Sequence, residues 1–480
     1  MSLNAALSNA ISGLFTASKA SELIASNVSN AQTLGYVHRN LSLSARSGEA
    51  GRVIIDAVQR HQNEYVVAQR RSGEGQFAQT SYLSDFFSIL ETEYGALGKG
   101  RSLTDAINTL EAHLIEASGQ PDNLSRLSAA HDALNKLSSR IRSFSEVLQQ
   151  ERQKADRAIA KSVDKINALL SKLHTLNRRL GMTEKGSGAK AGLLDQQNQL
   201  IDELSVMVSV KIFRRTGGKI AIYGDGGLKL LDETASKLSF VRTNVISAHD
   251  SVENGQLSEL KIDGQPIGNH TNFIHKGGSL SSAFTVRDKI APDAQKSLDS
   301  FAYILSSEFS STVVDPTLST TDPGLFTDNG QTADFANITG LAGRLVVNHR
   351  LSLDSGRSLW RLREGLGAKD ETSTGRSDIL SALAKVFNRP STALPAEGKS
   401  IAQISQNMLQ DLNSSKQTTD QNTSFASATL VDLKTRESVF GVDTDAEMQH
   451  LLSVKNAYAA NAKIIQTIDE MFADILRIKT

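Results

Sequence analysis

The 480-residue sequence contains no cysteine, which excludes thiolate catalysis, thiolate metal ligands and disulfide bonds. Its 7 prolines all lie between Pro121 and Pro395, so the flanks outside that interval are open to long uninterrupted helices. No apolar run approaches the roughly 18 residues that a membrane-spanning helix needs, so we expect no membrane insertion. The 52 basic and 52 acidic residues balance, and no net charge of one sign favours nucleic acid.

Motifs of enzyme chemistry are also missing. The sequence has no GxxxxGK[ST] phosphate loop, no HExxH and no GxSxG. His270 and His275 are the nearest approach to a metal pair, but two loop histidines do not make a ligand set. The start of the chain lacks the basic segment and continuous apolar core of a cleavable signal peptide. We therefore expect no catalytic residues, no metal and no cofactor.

The sequence does contain long helical periodicity near both of its ends. In residues 3–31 and again in residues 451–475, apolar residues recur every three or four positions, which predicts helices that bury one stripe against other helices. The first seam is formed by Leu3, Leu7, Ala10, Leu14, Ala17, Ile24, Val28 and Ala31. The second is formed by Leu451, Val454, Tyr458, Ile465, Ile468, Phe472 and Ile475.

Several details of these two helices indicate contact with more than one neighbour. Residues 1–36 carry only Lys19 and Glu22 as charges, whereas a solvated helix face usually carries more. Asn461 interrupts the second seam at a core position, where a buried Asn fixes register at a cost in stability. A further apolar column beside that seam is formed by Ala457, Ile464, Met471 and Ile478. Spacing alone also permits both helices to fold into an ordinary intramolecular bundle.

The last helix is predicted to begin with a capping box, in which Thr444 and Glu447 satisfy orphan backbone donors. The longest predicted helix covers 124–180, with a four-residue shift of its stripe after Ala155, and would form a rod roughly 80 Å long. Further helices are expected at 81–94, 102–117, 193–207, 281–311, 377–388, 400–440 and 444–478. Strands are expected at 52–58, 208–213, 219–223, 226–231, 238–241 and 344–348.

These elements predict a mainly α fold with β-rich inserts (α+β), organised as discontinuous nested domains. The N- and C-terminal helices form a coiled-coil pair, and a long helical rod domain and a central β-rich domain lie between them. The expected domains are a terminal coiled-coil core (1–36 plus 443–480), a helical rod domain (37–207 plus 281–312 plus 396–442), a β-rich insert (208–280) and a small mixed insert (313–395).

Four parts of the sequence resemble one protein family. Residues 26–36, Ser-Asn-Val-Ser-Asn-Ala-Gln-Thr-Leu-Gly-Tyr, are similar to the Asn-Asn-Ile-Ala-Asn-x-x-Thr-x-Gly-Tyr signature of bacterial flagellar axial proteins, departing from it at three positions. Residues 441–465 resemble the Gly-Val-Asn-x-Asp-Glu-Glu-Met and Tyr-x-Ala-Asn-Ala-Lys-Val-Ile patterns of the same group. Residues 193–204 resemble the Leu-Leu-Asp-x-Arg-Asp-x-Leu-x-Asp-Glu-Leu box of the hook-associated protein 1 family, with Gln197 and Asn198 in place of Arg-Asp. Residues 277–288 resemble that family's return from its β-rich domain.

The resemblance implies a structural, self-assembling junction protein that connects the flagellar hook to the filament. It implies that the terminal helices form the inner layers of a tube around the export channel. It further implies an extracellular protein that is exported by the flagellar type III route without a cleavable signal, with a chaperone at the C-terminal region. The expected partners are other copies of the chain in a ring or tube segment, the hook protein and the second junction protein.

We therefore expect the functional residues to form an assembly interface and not a catalytic centre. Gly35 and Tyr36 are expected to position the turn out of the first helix, and Asn461 to set register. The expected interface residues are Leu7, Leu14, Ile24, Asn27, Val28, Asn30, Gly35, Tyr36, Leu451, Val454, Tyr458, Asn461, Ile465, Ile468, Phe472 and Ile475. Three alternatives stay open: another flagellar axial protein (the hook protein or second junction protein), a cytoplasmic coiled-coil scaffold, and an enzyme that acts on cell-wall glycan through carboxylates in the inserts.

Overall fold

The helices dominate the architecture. The computed structural model describes residues 3–33, 35–45, 52–95, 102–184, 186–267, 273, 276–351, 358–371, 375–396 and 398–478. Within them the helices are α1 (Leu3–Ser29), α2 (Glu64–Tyr94), α3 (Leu103–Gly119), α4 (Leu124–Met182), α5 (Gly188–Met207), α6 (Ser279–Thr285), α7 (Ala291–Phe309), α8 (Leu341–Arg344), α9 (Arg361–Glu364), α10 (Asp378–Lys385), α11 (Ile401–Ser438) and α12 (Thr444–Ile478). None of these helices is both long and apolar enough to cross a membrane.

The strands form small antiparallel sheets of two or three members. The pairs are β1 (Arg39–Ala45) with β2 (Val53–Arg60), and β9 (Phe326–Asp328) with β10 (Leu345–Val347). The three-stranded sheets are β3 (Val210–Arg214), β4 (Ile220–Gly224) and β5 (Lys229–Leu231), and β6 (Leu238–Ser239), β7 (Lys261–Ile262) and β8 (Gln265–Pro266). The predicted mainly α fold with β-rich inserts is confirmed, while the domain boundaries given above stay a prediction.

Helix α4 is the spine of the molecule. Its 59 residues give a length of about 88 Å at 1.5 Å per residue. The Asn123 side chain caps its start by accepting hydrogen bonds from the amides of Ser125 and Arg126. The predicted stripe is confirmed as a buried seam whose members are at most 3% exposed: Leu127, Leu134, Ile141, Leu148, Ile159, Val163, Ile166, Leu170, Leu173 and Leu180. Helices α3, α5, α6 and α7 pack along the rod and cover this seam.

A buried ion pair holds the segment between α6 and α7 against the rod. Nη1 of Arg287 lies 2.8 Å from Oδ1 of Asp156 on α4, and both side chains are fully buried. Arg287 belongs to a π-helical turn, Val286–Ile290, that joins α6 to α7. Nε of Arg152, another buried α4 side chain, donates to the Arg287 carbonyl at 3.0 Å. A buried charge left unpaired is costly, so this pairing fixes the position of the π-helical turn on α4.

The chain leaves the helical body and returns to it at one point. The backbone N–H of Gly278 donates to the carbonyl of Gly75 on α2 at 2.9 Å. A Cβ on Gly278 would overlap the carbonyl of Met207, the last residue of α5, and its φ of 85° is a conformation that favours glycine. The Gly277-Gly278 pair therefore lets the return segment pass directly against the end of α5.

Two predicted helix starts were wrong. Helix α2 begins at Glu64 instead of 81, with Asn63 as its N-cap. Glycines at 73 and 75 hid this part of the helix, because glycine normally signals a break. Helix α5 begins at Gly188 instead of 193, where the Ser187 hydroxyl accepts a hydrogen bond from the Lys190 amide.

Candidate assembly interface

Helices α1 and α12 lie side by side and bury a narrow seam. Ala17 and Ile24 of α1 pack against Val454 of α12, with Val28 and Leu451 at the edge of the cluster. The small residues of α1 permit this approach because they add little bulk between the two helix axes. The predicted pairing of the first and last helices is thus present within one chain.

The expected interface residues fall into three groups by burial. Ile24, Asn27, Val454 and Ile468 are buried. The half-buried members are Leu7, Leu14, Val28, Asn30, Gly35, Tyr36, Leu451, Asn461, Ile465 and Phe472. Tyr458 and Ile475, which the spacing places on the seam, are 49% and 50% exposed. That these residues form an interface between copies stays a prediction.

The pair leaves a large apolar surface uncovered. The apolar positions of α12 cover more of its circumference than one partner helix can bury. The α12 side chains that are between 46% and 68% exposed include Met448, Leu452, Tyr458, Ile464, Met471, Ile475 and Leu476. On α1, Ile11 and Phe15 are also more than half exposed, one turn apart on the same face. Apolar surface of this extent marks an interaction site.

A close approach between the two helices occurs at Gly13. A Cβ built on Gly13 would lie 2.7 Å from the amide atoms of Asn461, which is closer than a methyl group permits. The Asn461 amide nitrogen also donates to the Ala457 carbonyl at 2.9 Å, one turn earlier in α12. Sequence reasoning missed Gly13, although a lone glycine inside a helical pattern costs helix stability and therefore suggests a packing reason.

The turn after α1 is organised by Asn27. Its amide nitrogen donates to the Arg39 carbonyl at 2.8 Å, and its oxygen accepts the Arg39 amide at 3.3 Å. The Tyr36 hydroxyl donates to the same oxygen at 2.8 Å. Gly35, with φ of 80°, supplies the left-handed residue of the turn. The Asn27 side chain therefore makes the two backbone hydrogen bonds to Arg39, the first residue of β1, that a neighbouring strand would make. These bonds attach α1 to the hairpin of β1 and β2.

The start of α12 is attached to the turn after α1, and its cap is not the predicted Thr444–Glu447 capping box. Oδ1 of Asp443 accepts the amides of Asp445 and Ala446 at 3.0 and 3.1 Å, so Asp443 is the N-cap. The capping box on Thr444 is wrong. The Glu447 carboxylate, which that box required, instead lies 2.8 Å from Nε2 of His38 and is buried.

A second set of ion pairs connects α2, α5 and α11. Arg70 pairs with Glu74 at 2.8 Å, with Asp202 at 2.9 Å and with Glu437. Burial alone would lower the pKa of Arg70, but these three carboxylates outweigh it and raise the pKa. Arg71 also pairs with Asp202, at 2.6 Å. Asp202, an acidic position of the 193–204 box, thus holds two arginines of α2.

No group of three or more potential metal-binding side chains occurs in the part of the chain that the structure describes. His270 and His275 lie outside the described residues.

Comparisons with known proteins identify the same regions. The family model described as flagellar hook-associated protein FlgK helical domain matches residues 90–313, which include the rod. The model described as flagellar basal body rod FlgEFG protein C-terminal matches residues 439–478, which include α12. Flagellar hook-associated protein 1 of Bacillus subtilis is 21% identical over 493 residues, covering 94% of this chain and 94% of the relative. The Escherichia coli protein of the same name is 22% identical over 564 residues, covering 99% of this chain and 100% of the relative.

Among solved structures, the flagellar hook junction protein FlgK from Burkholderia pseudomallei matches with a TM-score of 0.45 and 19% identity. That match covers 55% of this chain and 47% of the solved chain.

The helical rod and the paired helix α12, matched by these two family models, place the chain in the class of flagellar axial proteins. Within that class it is similar to the flagellar hook-associated protein 1 family, whose named relatives align along nearly its whole length.

Proposed function

We propose that this protein is a structural, self-assembling component of the bacterial flagellum that connects the hook to the filament. The observation that carries this proposal is the set of exposed apolar side chains on α1 and α12, such as Phe15, Ile464 and Met471. They occur in a chain that aligns with hook-associated proteins over nearly their full length. The protein lies outside the cell as part of the flagellum and assembles with other axial components.

The physical basis of assembly is the burial of these exposed apolar side chains by neighbouring copies. A large apolar side chain that passes from half-exposed to buried contributes on the order of 1 kcal/mol. Tyr458, Ile464, Met471 and Ile475 on α12, with Phe15 on α1, supply several such contributions to each contact between copies. Assembly driven in this way depends on concentration and requires no bound cofactor.

The finer assignments follow from the family likeness and are part of the proposal. The neighbours are the hook protein on one side and the second junction protein on the other. A chaperone binds the C-terminal region before export, and its natural target is the exposed apolar face of α12. Export follows the flagellar type III route without a cleaved signal, and the protein performs a structural role without catalysis.

The absence of cysteine provides a direct test of location. Val245, in the β-rich insert, is 76% exposed, so Val245→Cys introduces a single accessible thiol. Intact flagellated cells expressing this variant are treated with a membrane-impermeant maleimide dye, and cells with the cysteine-free chain serve as the control. We expect one fluorescent focus per flagellum, where hook and filament meet. Label along the hook or the whole filament would identify another axial protein, and label confined to lysed cells would identify a cytoplasmic scaffold.

A further inference from the structure

The joint between the α1–α12 pair and the helical body is a two-stranded hairpin. Strands β1 and β2 contact α1 on one side, and β2 contacts α5 on the other. A lone hairpin of this size is marginally stable in water, so it requires an anchor. The strand register places Arg39 directly opposite Arg60, and like charges opposite each other destabilise a strand pair. This hairpin therefore needs a counter-charge at its base.

Asp195 of α5 supplies that charge. Its Oδ1 accepts hydrogen bonds from Nε and Nη2 of Arg60 at 3.1 and 2.6 Å. Its Oδ2 accepts a hydrogen bond from Nη2 of Arg39. All three side chains are between 10% and 13% exposed. Burial lowers the pKa of Arg60, and the charge of Asp195 opposes that effect. One carboxylate thus pairs with two nearly buried guanidinium groups, and its loss would remove this counter-ion from both.

The same arginine connects Asp195 to the first helix. The Arg39 guanidinium lies 4.6 Å from the centre of the Tyr36 ring. The Arg39 backbone is held by Asn27, which also accepts the Tyr36 hydroxyl. A continuous series of contacts therefore runs from α1 through Asn27, Tyr36 and Arg39 to Asp195 on α5. The neighbouring residue His38 attaches α12 at Glu447.

We infer that Asp195 is the positioning residue of this joint: it holds the hairpin on α5 and thereby sets the orientation of the α1–α12 pair relative to the helical body. The anchoring of the hairpin is independent of the proposed function. The statement that this orientation serves assembly rests on the proposed function.

The anchoring can be measured in the full chain by pulsed electron spin resonance. Spin labels on Gln59→Cys in β2 and Lys161→Cys on α4, both at exposed positions, report the distance from the hairpin to the rod. We expect one narrow distance distribution in the parent chain and a distribution at least twice as broad in Asp195→Asn. Arg60→Lys, which keeps the charge but loses the two-pronged guanidinium, should give an intermediate width.

Asp328→Asn is the matched control. Asp328 of β9 forms a forked pair with Arg344 at the end of α8, at 2.8 and 2.9 Å, so its substitution removes a similar ion pair elsewhere. This control should leave the distribution unchanged. If Asp195→Asn does not fold, as judged by loss of its helical circular dichroism, Arg60→Lys provides the test. The inference is overturned if the spin-label distance distribution of the folded variant, Asp195→Asn or otherwise Arg60→Lys, is the same as that of the parent chain.

Assembly is tested separately by the amount of each variant found in purified hook–filament structures. We expect at least a tenfold reduction for Asp195→Asn and no reduction for Asp328→Asn. A broadened distribution with normal incorporation overturns the role of the joint in assembly. Absence of the parent chain from these structures would instead contradict the proposed function, while the spin-label result would still decide whether Asp195 anchors the hairpin.

Discussion

The rod α4 and the pair α1–α12 have apolar stripes with the same spacing, but the stripes differ in how much of them other helices cover. On α4, seam residues such as Ile159 are fully buried by other helices of the same chain. On α12, Tyr458 and Ile475 continue an equivalent spacing and are about half exposed. The periodicity specifies a helix with an apolar stripe, and the number of neighbouring helices decides how much of the stripe is buried.

This difference separates two sources of stability. The rod is stabilised within one chain, because several helices surround it at fixed positions. Each helix of the α1–α12 pair packs against one other helix, and under the proposed function the rest of its burial comes from other copies, so that its stability would depend on assembly. The predictions below test this separation, beginning with the largest expected effect.

Deletion of residues 466–480 should abolish incorporation into the flagellum. The deletion removes Ile468, Phe472 and Ile475 and leaves every residue of the rod in place. We expect no variant protein in purified hook–filament structures, and a helical melting transition within a few degrees of the parent chain. A truncated protein that still assembles would mean that α12 does not drive assembly.

Asp156→Ala should strongly destabilise the rod region, because it removes the fully buried partner of Arg287 and leaves that arginine only its pair with the partly exposed Asp288. Loss of one member of such a pair costs about 3–5 kcal/mol, measurable as a lower midpoint of urea unfolding. Lys154→Ala on the same helix removes an exposed ion pair with Glu151 and should cost less than about 0.5 kcal/mol. Equal midpoints for the two variants would contradict the buried network.

Matched isoleucine substitutions compare the two regions directly. Ile159→Ala in the buried seam should lower the free energy of unfolding of the isolated chain by about 2–5 kcal/mol. Ile475→Ala, at a half-exposed position, should change it by less than about 0.5 kcal/mol and should still reduce incorporation into the flagellum. The comparison fails if Ile475→Ala assembles as well as the parent chain.

Gly13→Ala should weaken the α1–α12 pairing, because the added methyl group meets the Asn461 side chain. The cost should be about 1–2 kcal/mol of overpacking, partly offset by the better helix propensity of alanine. Adding Asn461→Ser to Gly13→Ala should restore part of the loss, as measured by incorporation of the single and double variants. Additive losses would show that the two residues do not share one contact.

The sequence predicts those features of the fold that depend on local spacing. The seam of α4 and the bounds of α3 and α11 follow from apolar periodicity and local caps such as Ser102 and Ser400. Besides its two glycines, the first half of α2 carries Arg70 and Arg71 on its buried face, and their partners on α5 and α11 make that burial possible. Nothing in the local pattern indicates those partners.

The same limit applies to the candidate interface. Asp195 and Arg39 are 156 positions apart, and Glu447 is 409 positions from His38. A capping box on α12 was a sound expectation from four adjacent residues, and it failed because His38 offers Glu447 a partner from the other end of the sequence. The helices themselves were predictable, but the polar contacts that orient them depend on folding.

Hydrogen exchange of α1 and α12, in the isolated chain and in assembled hook–filament structures, tests the central claim most directly. In the isolated chain we expect their amides to exchange at least a hundredfold faster than those of α4, because opening exposes little surface that is not already exposed. In the assembled structures the same amides should become as protected as those of α4. Strong protection of both helices in the isolated chain, unchanged on assembly, would contradict the account.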